Sequence, residues 1–311
     1  MNAQKLKFSI VIPTYNRPKR LEQCLQSIAE LDYPKDCFEV VVIDDGSHTS
    51  MEPIISQFGA SLSIRFIRQH NAGPASARNT GAAAAQGNYL VFTDDDCRPH
   101  PNWLQALVRA LKDVPDALVG GHTLNCLPDN VYSTASQLLV DYLYDYYNRG
   151  NGEATFFTSN NFAVPRVLYQ QLGGFDTSFP LAAGEDREFC DRWRYHGFLM
   201  HYAPSMQLHH AHTLTLASFW RQHFNYGRGA FHFHKARSQR QSQPIEVEPL
   251  TFYWRLLRFP FSQQQGWRTL GLSALFFLSQ VANVAGFFWE KHQRWLVSQE
   301  TAVQCPFPNQ Q

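Results

Sequence analysis

The chain begins with short apolar runs that alternate with segments of helical periodicity. Phe8–Ile12 and Phe38–Ile43 are almost uninterrupted apolar runs, the pattern of strands that are buried on both faces. Two further strands and three helices are expected in the same region: strands at Ser63–Ile67 and Tyr89–Phe92, and helices from Asn16-Pro18 to Leu31, at Pro74–Gln86 and at Pro101–Leu111. Strand and helix in turn predict an α/β fold with an open, mostly parallel sheet flanked by helices.

Polar clusters follow three of these four strands directly. They are Pro13-Thr14-Tyr15, Asp44-Asp45 and Asp94-Asp95-Asp96. Because open parallel sheets bind ligands at the carboxyl ends of their strands, we expect the three clusters to gather along one edge. Adjacent carboxylates repel one another, so the aspartate triplet lies either in a solvated turn or beside positive charge.

Composition narrows the classes of function. Hydrophobic residues make up 44% of the chain and charged residues 17%, which is typical of a globular protein. A formal net charge of +1 argues against nucleic-acid binding through a basic surface. The chain contains neither a dinucleotide-binding G-x-G-x-x-G after its first strand nor a P-loop motif. Six scattered cysteines without C-x-x-C spacing, and an N-terminus without a signal-like apolar core, predict a cytoplasmic protein.

The later part of the chain is helical and strongly apolar. Tyr132–Tyr147 reads as an aromatic helix, for which core packing is favoured over an acceptor platform. The uncharged segment Leu270–Trp289 is long enough to span a bilayer. A polar stripe at helical spacing favours instead a helix that lies on a membrane or packs on the protein; it consists of Ser279, Asn283, Gly286 and Glu290.

A set of ordered motifs resembles the family 2 glycosyltransferases. The motifs are IVIPTYNR, VVVIDDGS, NAGPASARNTG, YLVFTDDDC, GGFD, GEDREFCDRW and QHFNYGRG. The resemblance implies a single GT-A-like nucleotide-diphospho-sugar transferase domain that acts with inversion. Residues 1–125 would then form the nucleotide-sugar-binding half and residues 126–240 the acceptor-binding half. Residues 241–311 would be a linker and an apolar helical extension.

The resemblance assigns a metal site to the aspartate triplet. Asp94 and Asp96 form D-x-D, and hard oxygen ligands suit Mg²⁺ or Mn²⁺. Asp96 would be the principal ligand with Asp94, while Asp94 or Asp95 reaches the ribose. His210 in LHHAH matches a further metal ligand of the family, and an imidazole favours Mn²⁺. The alternatives are a solvated turn before the helix at Pro101 and a surface histidine.

The expected donor-binding residues come from four stretches of the chain. Tyr15 would stack on the nucleobase and Asp45 would accept a hydrogen bond from its ring N–H, which suits uridine and also guanine. Pro13 and Thr14 would set the turn, and Arg78 would lie near the diphosphate. Gln222 and Arg228 would close over it, with Gly227 and Gly229 suggesting a mobile lid. Asn225-Tyr226 replaces the Arg-Trp of Q-x-x-R-W, which weakens any claim of a processive synthase.

Glu185-Asp186 is the expected catalytic pair. Adjacent carboxylates raise each other's pKa, which helps one of them take a proton at neutral pH. The resemblance makes Asp186 the general base, while Glu185 holds an acceptor hydroxyl or orients the loop. The alternative is negative charge that merely complements a helix N-terminus.

The sequence thus predicts metal-dependent transfer of a sugar, from a UDP-sugar by preference, to an acceptor hydroxyl in polysaccharide, glycolipid or cell-envelope glycan synthesis. The acceptor would be a glycan, a lipid-linked molecule or a protein. Residues 270–289 would contact the cytoplasmic face of a membrane as a peripheral element. Three rival readings are a nucleotidyltransferase, a glycoside hydrolase, and a non-catalytic protein that binds nucleotide sugars or a membrane surface.

Overall fold

The computed structural model of the protein describes residues 8–148, 154–179, 183–242, 248–263 and 266–304, with side chains as far as residue 296. The chain divides into two compact units that meet in sequence at Leu214 and Thr215. The sequence composition predicted a division near residue 240 instead. In the structure, the helix Leu216–Gln241, which ends at that point, belongs to the second unit.

The first unit is built on one mixed sheet of eight strands within the described residues. The strands are β1 (Phe8–Thr14), β2 (Phe38–Asp44), β3 (Ile64–Arg68), β4 (Tyr89–Thr93), β5 (Cys97–Pro99), β6 (Leu118–Asn125), β7 (Asn161–Pro165) and β8 (Met200–His210). Their spatial order is β3-β2-β1-β4-β7-β6-β8-β5. β1 pairs in parallel with β2 and β4, β2 with β3, and β6 with β8, whereas β7 and β5 pair antiparallel to their neighbours. The expected open, mostly parallel sheet is therefore present.

Helices cover both faces of this sheet. They are α1 (Pro18–Ala29), α2 (Glu52–Phe58), α3 (Pro74–Ala84), α4 (Trp103–Asp113), α5 (Val131–Asn148), α6 (Arg166–Gln171) and α7 (Glu185–Tyr195). Ile10 and Ile12 of β1 pack in one core with residues of α1 and α4, while Val11 packs in the other core with residues of α3 and α7. Alternate side chains of β1 thus enter opposite cores, which explains its continuous apolar run.

The structure tests two predictions about local structure, the start of the first helix and the role of the aromatic residues in α5. Asn16, at which the first helix was expected to start, lies before α1: its backbone has a φ of 56°, and its side chain accepts a hydrogen bond of 2.8 Å from the backbone N–H of His48. Pro18 still begins the helix, after Arg17. In α5, Tyr142 and Tyr144 are buried, and Tyr144 lies in a hydrophobic core. Core packing is therefore the role of these two aromatic residues.

The short strand β5 brings distant segments together at the edge of the sheet. It pairs antiparallel with the end of β8, so that Cys97 lies opposite His210. The backbone N–H of Ala211 also donates a 2.9 Å hydrogen bond to the carbonyl oxygen of Asp96. The end of the aspartate triplet is therefore held beside the histidine cluster.

In the part of the second unit that the structure describes there are three helices: α8 (Leu216–Gln241), α9 (Leu250–Gln263) and α10 (Arg268–Gln304). Helices α8 and α10 approach closely at two glycines. A Cβ atom at Gly227 would overlap the backbone of Asn283, and one at Gly286 would overlap the carbonyl of Phe224. Glu290 of α10 accepts hydrogen bonds from the Arg228 side chain. The polar stripe of α10 thus faces α8.

This close packing predicts opposite effects for two glycine-to-alanine substitutions in α10. Gly271→Ala should raise the free energy of unfolding by about 0.5–1 kcal/mol, because a Cβ there meets no neighbour within 4 Å and helical glycine is unfavourable. Gly286→Ala should lower it by about 1–3 kcal/mol, because the two helices must separate. Urea unfolding of the full chain, followed by circular dichroism, measures both. Equal stabilisation by the two substitutions would contradict the contact.

Candidate functional site

Positive side chains surround the aspartate triplet at the end of β4. The Asp95 carboxylate accepts hydrogen bonds from the Thr14 hydroxyl at 2.8 Å and from the Arg17 guanidinium at 3.2 Å. Asp96 accepts hydrogen bonds from Arg20 at 2.8 Å and from Arg17 at 3.3 Å. Both carboxylates are buried. The solvated-turn alternative is therefore wrong for Asp95 and Asp96, since their charges are paired.

The other carboxylate oxygen of Asp96 lies 3.2 Å from Nε2 of His210. Ligand atoms of Asp96, Cys97 and His210 all lie within 4.8 Å of one another. Burial raises the pKa of the Cys97 thiol well above its usual value, so this group stays protonated and is a poor ligand. One carboxylate and one imidazole remain, and this donor set fits Mn²⁺ and, less well, Mg²⁺.

The pKa values of this cluster follow from burial and from mutual charge. Burial alone would raise the pKa of Asp96, but its hydrogen bond with His210 and the nearby charges hold it well below its usual value. Burial alone would lower the pKa of His210, but Asp96 outweighs it and raises that pKa. Burial and the charge of His210 lower the pKa of His212 to about 4. Asp96 is thus ionised at neutral pH, the state in which a carboxylate could bind a cation.

Asp94 faces a different partner. Its carboxylate accepts a 2.7 Å hydrogen bond from Arg78, which donates a second hydrogen bond of 3.2 Å to Glu185. Arg78 is buried on α3, and its guanidinium lies 5.6 Å from the centre of the Phe175 ring. Arg78 therefore links the aspartate triplet to the expected catalytic pair. The described structure groups Asp96, and not Asp94, with His210.

Glu185 and Asp186 begin α7, directly after Gly184, whose φ is 89°. Burial and the charge of Asp186 together raise the pKa of Glu185 to about 7, against the opposing charge of Arg78. Burial also raises the pKa of Asp186, against hydrogen bonds from backbone N–H groups. One Glu185 carboxylate oxygen is buried without a hydrogen-bond partner. A raised pKa makes a carboxylate better suited to accept a proton.

Asp45 holds the loop that leads into α3. It accepts hydrogen bonds from the Gln69 side chain at 2.7 Å and from the backbone N–H groups of Ala72 and Gly73 at 3.0 and 2.9 Å. Tyr15 directly follows β1 and is 41% exposed, which leaves its ring accessible to a planar ligand. Asp45 thus has a structural role in the loop, whatever it contributes to base binding.

Gln222 and Arg228 lie on α8 in the second unit. The side-chain amide of Gln222 donates a 2.8 Å hydrogen bond to the Tyr226 hydroxyl. Arg228 donates a 2.7 Å hydrogen bond to Glu290, and its guanidinium lies 4.6 Å from the centre of the Trp289 ring. The expectation of a glycine-hinged loop is wrong, because Gly227 and Gly229 lie inside one continuous helix. At Gly227 the small residue serves close helix packing.

Sequence reasoning missed Arg17 and Arg20. They lie in the NRPKR segment that begins α1, directly after the first polar cluster. Three adjacent aspartates require positive charges nearby. Arg17 and Arg20 follow the end of β1, and this position in the sequence could have identified them as those charges. Pro13 is the penultimate residue of β1, next to Thr14.

A family model described as Glycosyl transferase family 2 matches residues 9–173 of the chain. A glycosyltransferase, AglE, from Haloferax volcanii is 37% identical over 117 residues, which cover 37% of this chain and 38% of the relative. A chondroitin synthase from Escherichia coli is 32% identical over 216 residues, which cover 58% of this chain and 31% of the relative. The chain thus spans only about a third of the length of these relatives.

Solved structures share the fold at low sequence identity. The mannosyltransferase PcManGT from Pyrobaculum calidifontis, in complex with GDP-Man and Mn²⁺, has a TM-score of 0.61 and 20% identity. The match covers 96% of this chain and 87% of that one. TarS from S. aureus, in complex with UDP-GlcNAc, has a TM-score of 0.54 and 16% identity, covering 93% and 92%. The expected GT-A-like architecture is confirmed.

The raised pKa of Glu185 predicts a pH-dependent stability that one substitution reduces. In the folded chain Glu185 keeps its proton up to a pKa of about 7, whereas the unfolded chain releases it near 4.5. The free energy of unfolding should therefore fall as pH rises through this window, since the folded state binds more protons. Glu185→Gln should flatten this decline.

Urea unfolding at a series of pH values from 4.5 to 7 measures the effect. Glu22→Gln, on the exposed side of α1, is the matched control and should keep the wild-type slope. An unchanged slope in Glu185→Gln would contradict the buried, proton-holding state of this carboxyl.

Proposed function

Because the chain belongs to glycosyl transferase family 2, we propose that it transfers a sugar from a nucleotide-diphosphate donor to an acceptor hydroxyl. The reaction is metal-dependent and inverts the anomeric centre, and UDP-sugars are the favoured donors. One observation carries the proposal: buried Arg78 joins Asp94 of the triplet to Glu185 of the catalytic pair. This link supports a cation site and a proton acceptor that act together.

Asp96 and His210 would hold Mn²⁺ or Mg²⁺ at the aspartate triplet. Such an ion neutralises charge on the diphosphate of the donor. Arg17 and Arg20 keep Asp96 ionised and oriented through their hydrogen bonds. Asp95 is fixed by Thr14 and Arg17, so the turn keeps its shape before the donor arrives. This preorganisation supports a site built for a negatively charged ligand.

Asp186 acts as the general base. Its carboxylate takes the proton of the acceptor hydroxyl, whose oxygen forms a bond to the anomeric carbon as the bond to the diphosphate oxygen breaks. The nucleoside diphosphate leaves with that electron pair, and Arg78 supplies positive charge nearby. Glu185 positions the acceptor or the loop. Attack on the face opposite the leaving group gives inversion.

The likeness to named proteins supports a role in glycan synthesis without fixing the substrate. Relatives include a chondroitin synthase and a poly(ribitol-phosphate) β-N-acetylglucosaminyltransferase. Structures with the same fold hold GDP-Man in one case and UDP-GlcNAc in another. We propose polysaccharide, glycolipid or cell-envelope glycan synthesis, with a glycan, a lipid-linked molecule or a protein as acceptor. Tyr15 and the resemblance-based role of Asp45 favour uridine as the base.

A nucleotide panel tests the donor site. We expect thermal stabilisation by one nucleoside diphosphate among UDP, GDP, dTDP and CDP, and only when Mn²⁺ is present, because diphosphate and aspartates repel without the ion. Asp96→Asn, which keeps the side-chain shape, should weaken this binding by at least about tenfold. Asp113→Ala, on the exposed end of α4, should bind as wild type. The proposal would be contradicted if a nucleotide stabilised the protein without metal, or if no nucleotide stabilised it under any condition.

Asp186→Asn tests catalysis separately from binding. The amide cannot accept the proton, so release of nucleoside diphosphate from the sugar nucleotide should fall by about 10²–10⁴-fold. Metal-dependent nucleotide stabilisation should persist in this variant. Asp129→Asn, on an exposed turn, is the control and should turn over normally. Undiminished turnover in Asp186→Asn would remove the general-base role from this residue, whereas absence of turnover in the wild-type chain would favour a non-catalytic binding protein.

A further inference from the structure

Helix α10 does not have the polarity of a helix in a water-soluble bundle, because its buried side mixes apolar Leu272 and Phe276 with polar and small residues. Its polar and small residues face α8: Ser279 and Glu290 are buried, and Gly286 packs against the Phe224 backbone. Glu290 is held there by hydrogen bonds with Arg228 and His232. In water the apolar side of such a helix would turn inward. Small and polar residues at the helix contact are instead the pattern of helices in lipid.

The opposite side of α10 exposes a continuous apolar stripe. We call it the outer stripe; it consists of Leu270, Ala274, Phe277, Val281, Val284 and Phe288. Phe277 and Phe288 are 61% and 60% exposed. The spacing of these residues keeps them on one side of the helix over about 27 Å, at a rise of about 1.5 Å per residue. An apolar surface of this length, without a charge in it, marks an interaction site.

Positive charge is concentrated in the same unit. Residues 215–311 contain ten Lys and Arg against four Asp and Glu, a net charge of +6, whereas the whole chain carries only +1. The remaining 214 residues are therefore net −5. Arg268 precedes the outer stripe, and Lys291 and Arg294 follow it. The stripe is thus bounded by cations at both ends.

Tryptophans and a second helix extend this pattern. Trp267 is 82% exposed before the outer stripe, and Trp289 and Trp295 are exposed at its far end. Helix α9 exposes a smaller apolar stripe of its own, Leu250, Trp254 and Phe261, alongside exposed Arg255 and Arg258. Tryptophan prefers the boundary between acyl chains and headgroups, and arginine pairs with lipid phosphates.

We propose that the second unit binds an anionic phospholipid surface, with α10 lying in the membrane plane and the outer stripe among the acyl chains. The inference goes beyond the proposed function and does not depend on it. A spanning arrangement is disfavoured because α10 packs along α8, which carries five Lys and Arg in its length. Self-association through the stripe would bring two +6 units together, whereas anionic headgroups attract them. A helix that lies in the membrane plane and binds anionic headgroups is expected of a peripheral protein on a cytoplasmic leaflet.

Vesicle co-sedimentation of the full chain tests the proposal. We expect binding to vesicles of phosphatidylcholine that contain phosphatidylglycerol, weaker binding to phosphatidylcholine alone, and release by salt and alkaline carbonate. The double variant Phe277→Glu/Phe288→Glu should lower the partition coefficient by at least about tenfold, because two large apolar side chains no longer enter the membrane. The double variant Arg255→Gln/Arg258→Gln should reduce mainly the preference for phosphatidylglycerol.

Matched controls separate this effect from misfolding. Val167→Glu changes an exposed valine of the first unit in the same way and should bind vesicles like wild type. The stripe variant should keep the urea midpoint and the nucleotide response of wild type, since it alters exposed positions only.

Four results would overturn the proposal. The first is no binding to either kind of vesicle, and the second is binding that the stripe variant does not weaken. The third is retention of the protein in the membrane after carbonate, which indicates a spanning helix. The fourth is a discrete dimer in solution that the stripe variant dissociates, with no vesicle binding. The last would assign the outer stripe to a second copy of the chain.

Discussion

Neutralisation of three adjacent carboxylates is the interaction on which the first unit depends. Asp94, Asp95 and Asp96 end a buried strand, where unpaired charge would be far too costly to keep. Arginines from α1 and α3 and a histidine from β8 converge on the triplet from separate parts of the chain. The order of the strands therefore places these positive side chains beside the aspartates at one edge of the sheet, in addition to forming the core.

The same electrostatics link the aspartate triplet to the Glu185-Asp186 pair. Arg78 divides its charge between Asp94 and Glu185, so a ligand that draws on this arginine changes the environment of the Glu185-Asp186 pair. Both carboxyl groups of that pair have raised pKa values because burial disfavours their ionised forms. A second positive or negative group arriving nearby would shift them further. Asp94, Arg78 and the Glu185-Asp186 pair are in this sense one electrostatic system.

Sequence reasoning identified the elements that carry strong local signals. Strands β1, β2 and β4 were located to within two residues because continuous apolar runs and following aspartates mark them clearly. Strand β5 has only three residues and no pattern of its own, so its pairing with β8 depends on tertiary structure. Gly227 fits a hinge or a close helix contact equally well in sequence. The polar stripe of α10 could be recognised in the sequence, but the side of α10 that is buried depends on its packing against α8.

The pairing of β5 with β8 has a consequence for how the chain folds. Asp96 and His210 come together only when two segments that lie far apart in sequence close a long loop, a step that costs more entropy than local helix or hairpin formation. During synthesis, strands β1 to β4 emerge well before β8. The part of the sheet formed by β1 to β4 can thus collapse early, while Asp96 and His210 come together only after β8 docks at the sheet edge.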